Sequence, residues 1–242
     1  MKNLLIFGLF VIALVFVQFA QAQTVDEVLD KYMAAMGGKD KLLAMNSLFT
    51  QGVSVMSNGT EVTNATTKVQ DKLFRNDIDF GMGTLVTIVT PEKGWRSNPR
   101  NGGAFEPMSA EALTGTLHQM DCAGPLVNYA AKGHKAELIG KETIDNVDCY
   151  KIKLTTKGGK EITYWIDSKT YLIHQMSQKG GFGGGGRGAD AEIISVYSDY
   201  KAVDGIQFPF TAELKGGFGG GKMTYEKIEV NKPVDEKLYK PE

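Results

Sequence analysis

Between Ala136 and Met176 the chain repeats one pattern with a period of two residues. Tyr150, Ile152 and Leu154 alternate with Lys151 and Lys153, and after Gly158-Gly159 the alternation resumes at Ile162, Tyr164 and Ile166. Asp167-Ser168-Lys169 then turns the chain into Tyr171–Met176. Successive side chains of a strand point to opposite faces, so such runs bury one face and wet the other. Connections this short join antiparallel neighbours, because a parallel pair needs a long crossover. The stretch therefore requires an antiparallel meander with one apolar side, and the rest of the chain must cover that side.

Two helices precede the first strand. Thr24 and Glu27 form a capping box, and Val25, Val28, Leu29, Tyr32 and Met36 recur at helical spacing. Gly37-Gly38 ends that helix, and a shorter one from Lys39 to Met45 presents Leu42, Leu43 and Met45. From Ser47 the period changes to that of a strand, with Phe49, Val53 and Val55 followed by an Asn58-Gly59 hairpin turn. Strands are expected at about 61–70, 72–80 and 84–90, with a short one at Gly94-Trp95. Pro99 to Pro107 reads as loop. Ser109 caps a helix over Ala110 to Met120, and a second short helix is expected over Pro125 to Ala131. After the meander, strands at about 190–200, 206–215 and 222–230 precede an extended tail. The fold class is mainly β (α+β): one domain, residues 23–242, of about eleven antiparallel strands with helices at its start and middle.

The first 22 residues stand apart. Lys2 is their only charge, Leu4 to Val17 is almost purely apolar, and Ala20-Gln21-Ala22 closes the stretch. That order matches a secretory signal peptide cleaved after Ala22. The apolar run is about 16 residues, shorter than the roughly 20 a spanning helix needs. Gln23 stands where a lipid-anchored protein would carry cysteine. The expected mature protein starts at Gln23, is exported to the periplasm and has no stable transmembrane segment. It keeps 220 residues, ample for one core. With a formal charge of −1 for the whole chain, no basic face is implied and nucleic acid is not an expected partner. Cys122 and Cys149 are the only cysteines. In an oxidising compartment an even pair invites a disulfide, and two separate buried thiols are the other arrangement open to them.

Catalytic patterns are missing. His118, His134 and His174 lack ligand spacing, and no His-Glu-x-x-His, Cys-x-x-Cys or Gly-x-Ser-x-Gly motif occurs. No enzyme activity, metal or cofactor is expected. Two segments resemble each other: Gly180-Gly181-Phe182-Gly183-Gly184-Gly185-Gly186-Arg187 and Gly216-Gly217-Phe218-Gly219-Gly220-Gly221-Lys222. They join strands and lack the Lys-Ser/Thr ending of a phosphate loop. In a meander they fall at the same end of the sheet, where Phe182, Arg187, Phe218 and Lys222 are candidates for a rim. Met33, Met36, Met45, Met56, Met82, Met108, Met120, Met176 and Met223 are spread through the chain, as core filling or as the soft lining of an apolar cavity.

Several runs carry a family likeness. They include Asp30-Lys31-Tyr32-x-x-Ala35-Met36-Gly37-Gly38-Lys39-Asp40-Lys41-Leu42, Gly124-Pro125-Leu126-Val127-Asn128-Tyr129, Tyr164-Trp165-Ile166-Asp167 and Val203-Asp204-Gly205-Ile206-Gln207-Phe208-Pro209. The chain resembles the LolA/LolB-type outer membrane lipoprotein-sorting superfamily, in a branch found in the periplasm of Bacteroidota-like bacteria. The resemblance implies an incomplete antiparallel barrel covered by helices around an apolar cavity, and a carrier of apolar or acylated ligands such as lipids or lipoproteins. On that reading Val28, Tyr32, Met36, Leu113, Leu117, Tyr150, Ile152, Tyr164 and Ile166 are candidates to line the cavity, or else form solid core. The alternative function is a non-catalytic structural or interaction module of the envelope.

Overall fold

The computed structural model describes residues 23–180, 191–216 and 220–241. The expected signal peptide lies outside these residues. Helix α1 (Val25–Ala35) starts at the anticipated box: Thr24 Oγ1 accepts from the Glu27 N–H at 3.2 Å and Glu27 Oε2 from the Thr24 N–H at 3.0 Å. Helix α2 (Lys39–Leu43) follows. Six strands come next: β1 (Ser47–Met56), β2 (Glu61–Val69), β3 (Leu73–Asp79), β4 (Thr84–Val89), β5 (Gly94–Ser97) and β6 (Phe105–Pro107). Helix α3 (Ala110–Thr116), capped by Ser109, runs into a 3-10 turn at Leu117–Met120. The remaining strands are β7 (Lys135–Ile144), β8 (Val147–Thr155), β9 (Glu161–Asp167), β10 (Ile173–Lys179), β11 (Glu192–Val203), β12 (Ile206–Gly216) and β13 (Gly221–Val230).

Two local expectations are corrected. Pro99–Pro107 contains a 3-10 turn and β6, which pairs with β5 and forms one edge of the sheet. Proline is tolerated on an edge, where one side of the strand needs no N–H donor. Pro125–Ala131 is a series of turns, not a helix. Asn128 there has a left-handed φ of 53°, which a right-handed helix does not propagate.

The strands form one sheet of thirteen, in the order β6-β5-β4-β3-β2-β1-β13-β12-β11-β10-β9-β8-β7. Two meanders, β1–β6 and β7–β13, meet where the first strand pairs antiparallel with the last. The edges β6 and β7 do not pair, so the sheet is an incomplete barrel, as expected, with two strands more than anticipated. The seam between β1 and β13 depends on Gly52. A bulge falls between Gln51 and Gly52, and a Cβ on Gly52 would lie 2.2 Å from the Thr224 carbonyl oxygen.

The main core lies on one face, under α1, α2 and the segment around Cys122–Val127. Val28, Leu29, Leu42, Leu126 and Val127 press onto Tyr150, Ile152, Leu154, Ile162, Tyr164 and Ile166. A smaller cluster of Leu73, Val86 and Ile88 sits on the opposite face, covered by Val234, Leu238 and Tyr239 of the tail. Both cysteines are buried and free. Of the two arrangements open to them, the structure has the separate thiols: Cys122 belongs to the main core, whereas Cys149 lies in β8 opposite Glu142 and Asp167.

Candidate functional site

The hairpin ends of the sheet gather at one side. Met56 pairs with Gly221 across the seam, and Ile193 pairs with Gly216, so residues 56–61 and 79–84, Gly216, Gly220, Gly221 and the start of β11 share that end. A cavity of about 850 Å³ opens there, within the range typical of small-ligand sites. Its wall comes from β1–β4 and β11–β13. Five strands separate β4 from β11, roughly 29 Å if the sheet were flat at the usual spacing. That both ends of this array face one cavity shows how strongly the sheet curls.

Side-chain alternation selects the lining. On β1 Ser54 and Met56 face the cavity while Val55 faces out and is exposed. On β3 Ile78 points in, whereas Arg75 and Asp77 pair on the other face at 2.9 Å. Met56, Phe80, Met82, Ile193 and Leu214 ring the hairpin end, and Met82 is 94% exposed. Further in, the wall carries Ser54, Asn64, Thr66, Ser195, Tyr197 and Tyr225. Asn76 organises part of it, donating to Asn64 Oδ1 at 2.7 Å and Thr66 Oγ1 at 2.9 Å. Burial raises the Tyr197 and Tyr225 pKa values, so both phenols stay neutral. Among the described residues lining the cavity, none carries a charge.

The nine cavity candidates lie elsewhere, and that assignment is corrected. Val28, Tyr32, Met36, Tyr150, Ile152, Tyr164 and Ile166 fill the solid core beneath the helices. Leu113 and Leu117 are half-buried, and Leu113 packs over Gly94, where a Cβ would meet Met108 and Leu113. None of the nine lines the cavity. Helix α1 and the segment around Cys122–Val127 pack onto that part of the sheet, and the cavity lies at the hairpin end instead. Of the rim candidates, Lys222 is exposed on β13 beside the lining residue Met223, while Phe182, Arg187 and Phe218 lie outside the described residues.

A buried polar group closes the other end of β2. Lys68 Nζ donates to the Asp121 carbonyl at 3.2 Å, Lys132 pairs with the Asp121 carboxylate, and the Cys122 N–H donates to Gln70 Oε1 at 2.8 Å. Burial lowers the Lys68 pKa, partly offset by Cys122 and Asp121. Burial likewise pushes His118 down to about 4 and the Cys122 thiol up to about 11. A thiol held protonated in this way is a poor nucleophile, so the group fastens the 120–132 segment to the sheet instead of forming a reactive pair. Among the described residues no cluster of three His, Cys, Asp or Glu could hold a metal ion, and no helix is long and apolar enough to cross a membrane.

No protein-family model matches the chain, and no curated protein sequence matches it. Solved structures do. A DUF1329 family protein from Desulfovibrio piger superposes with a TM-score of 0.56 at 14% identity, over 90% of this chain and 98% of that one. A candidate outer membrane lipoprotein-sorting protein domain from Vibrio parahaemolyticus gives 0.54 at 10% identity, over 88% and 94%. A LolA superfamily protein from Nitrosomonas europaea gives 0.56 at 13% identity, over 90% and 98%. The likeness reaches the superfamily fold and does not single out a Bacteroidota-type branch. The chain has a LolA-like fold: an incomplete antiparallel barrel with few helices.

Proposed function

We propose that this protein is a non-catalytic carrier or binding protein of the bacterial envelope, and that it takes an apolar or acylated ligand into the cavity at the hairpin end of its sheet. The observation that supports this most directly is the cavity itself, about 850 Å³ in volume and walled by uncharged, largely apolar side chains. An unpaired charge in such a site is costly, whereas an alkyl chain gains by leaving water. The fold's likeness to a candidate lipoprotein-sorting domain and to a LolA superfamily protein agrees with the reading. On this proposal the chain is exported, cleaved after Ala22 and works in the periplasm, with a lipid or lipoprotein as partner in outer membrane lipoprotein sorting.

The test is native mass spectrometry of the protein purified from the cell envelope, paired with titration of the neutral dye N-phenyl-1-naphthylamine. A co-purifying lipid or acylated peptide, displaced by the dye, is the expected result. A protein that is empty and also ignores the dye overturns the carrier reading, and a non-catalytic interaction module then takes its place.

A further inference from the structure

The cavity wall is graded, and the grade runs opposite to that of a simple tail-first sleeve. On β1 the hairpin-end residue is Met56 and the next inward is Ser54; on β2 Val62 gives way to Asn64 and Thr66; on β11 Ile193 gives way to Ser195 and Tyr197; on β13 Met223 gives way to Tyr225. Four strands thus repeat one order: apolar at the mouth, neutral and hydrogen-bonding within. Across the strands Ser54 lies opposite Met223 and Val62, and Asn64 lies opposite Gly52 and Ile78, so the boundary between apolar and polar lining runs obliquely to the strand pairing. The inner groups retain hydrogen-bonding capacity. Asn64 accepts from Asn76 through its oxygen, but its own N–H₂ group and the Ser54 hydroxyl have no partner among the described residues. These groups face the cavity and are open to solvent, so a ligand that displaces the water there must supply a hydrogen-bonding partner or leave them unpaired.

We infer that the cavity selects an uncharged single-chain amphiphile, bound with its neutral polar group (amide, ester or hydroxyl) inward against Asn64 and Ser54 and its alkyl chain leading out past Phe80 and Met82. This deepens the apolar-ligand reading above and rests on it. A carboxylate or phosphate head has no cation to meet among the described lining residues, so it stays outside or binds weakly. The apolar mouth then shields the emerging chain, and the exposure of Met82 follows from its position where that chain leaves the protein.

The experiment uses the mature chain and dodecanamide as probe, with dodecanoate at pH 9 as the charged counterpart. In displacement of N-phenyl-1-naphthylamine, Asn64→Leu is expected to weaken dodecanamide about tenfold and to leave dodecanoate unchanged. Orientation is read separately in a Met82→Trp variant, by fluorescence quenching corrected for the two native tryptophans. Dodecanamide brominated at its terminal carbons is expected to quench the residue-82 indole several-fold more than dodecanamide brominated beside the amide. Stronger quenching by the second compound, or equal weakening of both ligands by Asn64→Leu, overturns the inference while leaving the apolar-ligand reading intact. Failure of the dye, the amide and the carboxylate alike to bind overturns both.

Discussion

Ala212 sits in the cavity wall between Met223 and Tyr197, its partners on the flanking strands, and is 3% exposed. Nothing larger than a methyl group projects there, and no cation lies among the described lining residues to receive an anion. An Ala212→Asp substitution therefore places a carboxylate in a neutral wall among apolar neighbours. Dye binding is expected to fall more than tenfold while circular dichroism shows the sheet retained; unchanged binding would mean that the dye sits elsewhere. The two thiols make a second residue-scale prediction. Burial pushes Cys122 up to about 11 and Cys149 up to about 12, so neither is a thiolate at neutral pH. Alkylation at pH 8 should be slow in the folded protein, and unfolding without reductant should release two reactive thiols. A count of zero would restore the bridge.

The 3-10 turn at Leu117–Met120 is the element that lies against β2 and β3. It carries His118, held down to about 4 chiefly by burial, with the nearby Lys68 charge adding to the effect. In the unfolded chain the imidazole takes up its proton near 6.5, before the folded protein does. Stability from this group is thus complete above pH 6.5 and is lost as pH falls toward 4, by up to about 3 kcal/mol. Urea unfolding of wild type and His118→Gln across this range should show a steeper acid-side decline in the wild type; parallel curves would contradict it. The elements themselves were legible where local chemistry determines them. Thr24-x-x-Glu27, Asn58-Gly59 and the Tyr150–Leu154 alternation each specify a cap, a turn or a face without help from distant residues. The cavity was not legible, because Ser54, Asn64 and Ser195 look in sequence like ordinary solvent-facing strand residues. Only the curl of the sheet, a property of all the strands together, turns them inward. The methionine distribution did not single it out either, since Met56, Met82 and Met223 line the space whereas Met33, Met36 and Met45 fill the main core. Conversely, Tyr150 and Ile166 were rightly placed on the buried face, but whether a buried face meets a helix or a void depends on where α1 and the 120–132 segment settle, which strand periodicity does not encode.

At the scale of the whole molecule, two meanders that could each have been a separate sheet are joined along one line, the pairing of β1 with β13. The cavity straddles that line, since Ser54 and Met56 come from one side and Met223 and Tyr225 from the other. Stability and binding should therefore fail together when the seam is disturbed, even by a change that leaves the lining untouched. Gly52 allows the discriminating experiment. It does not line the cavity, yet its missing Cβ is what permits the close approach to the Thr224 carbonyl. A Gly52→Val side chain suits a strand by propensity but must displace backbone, not a flexible side chain. We expect it to cost about 3 kcal/mol or more, at the upper end of overpacking effects, with a lower urea midpoint. Dye affinity should fall in the fraction that remains folded, because a shifted seam separates Ser54 from Met223. If the variant keeps wild-type affinity at temperatures where it is fully folded, the cavity belongs to one meander alone and the seam only holds the halves together.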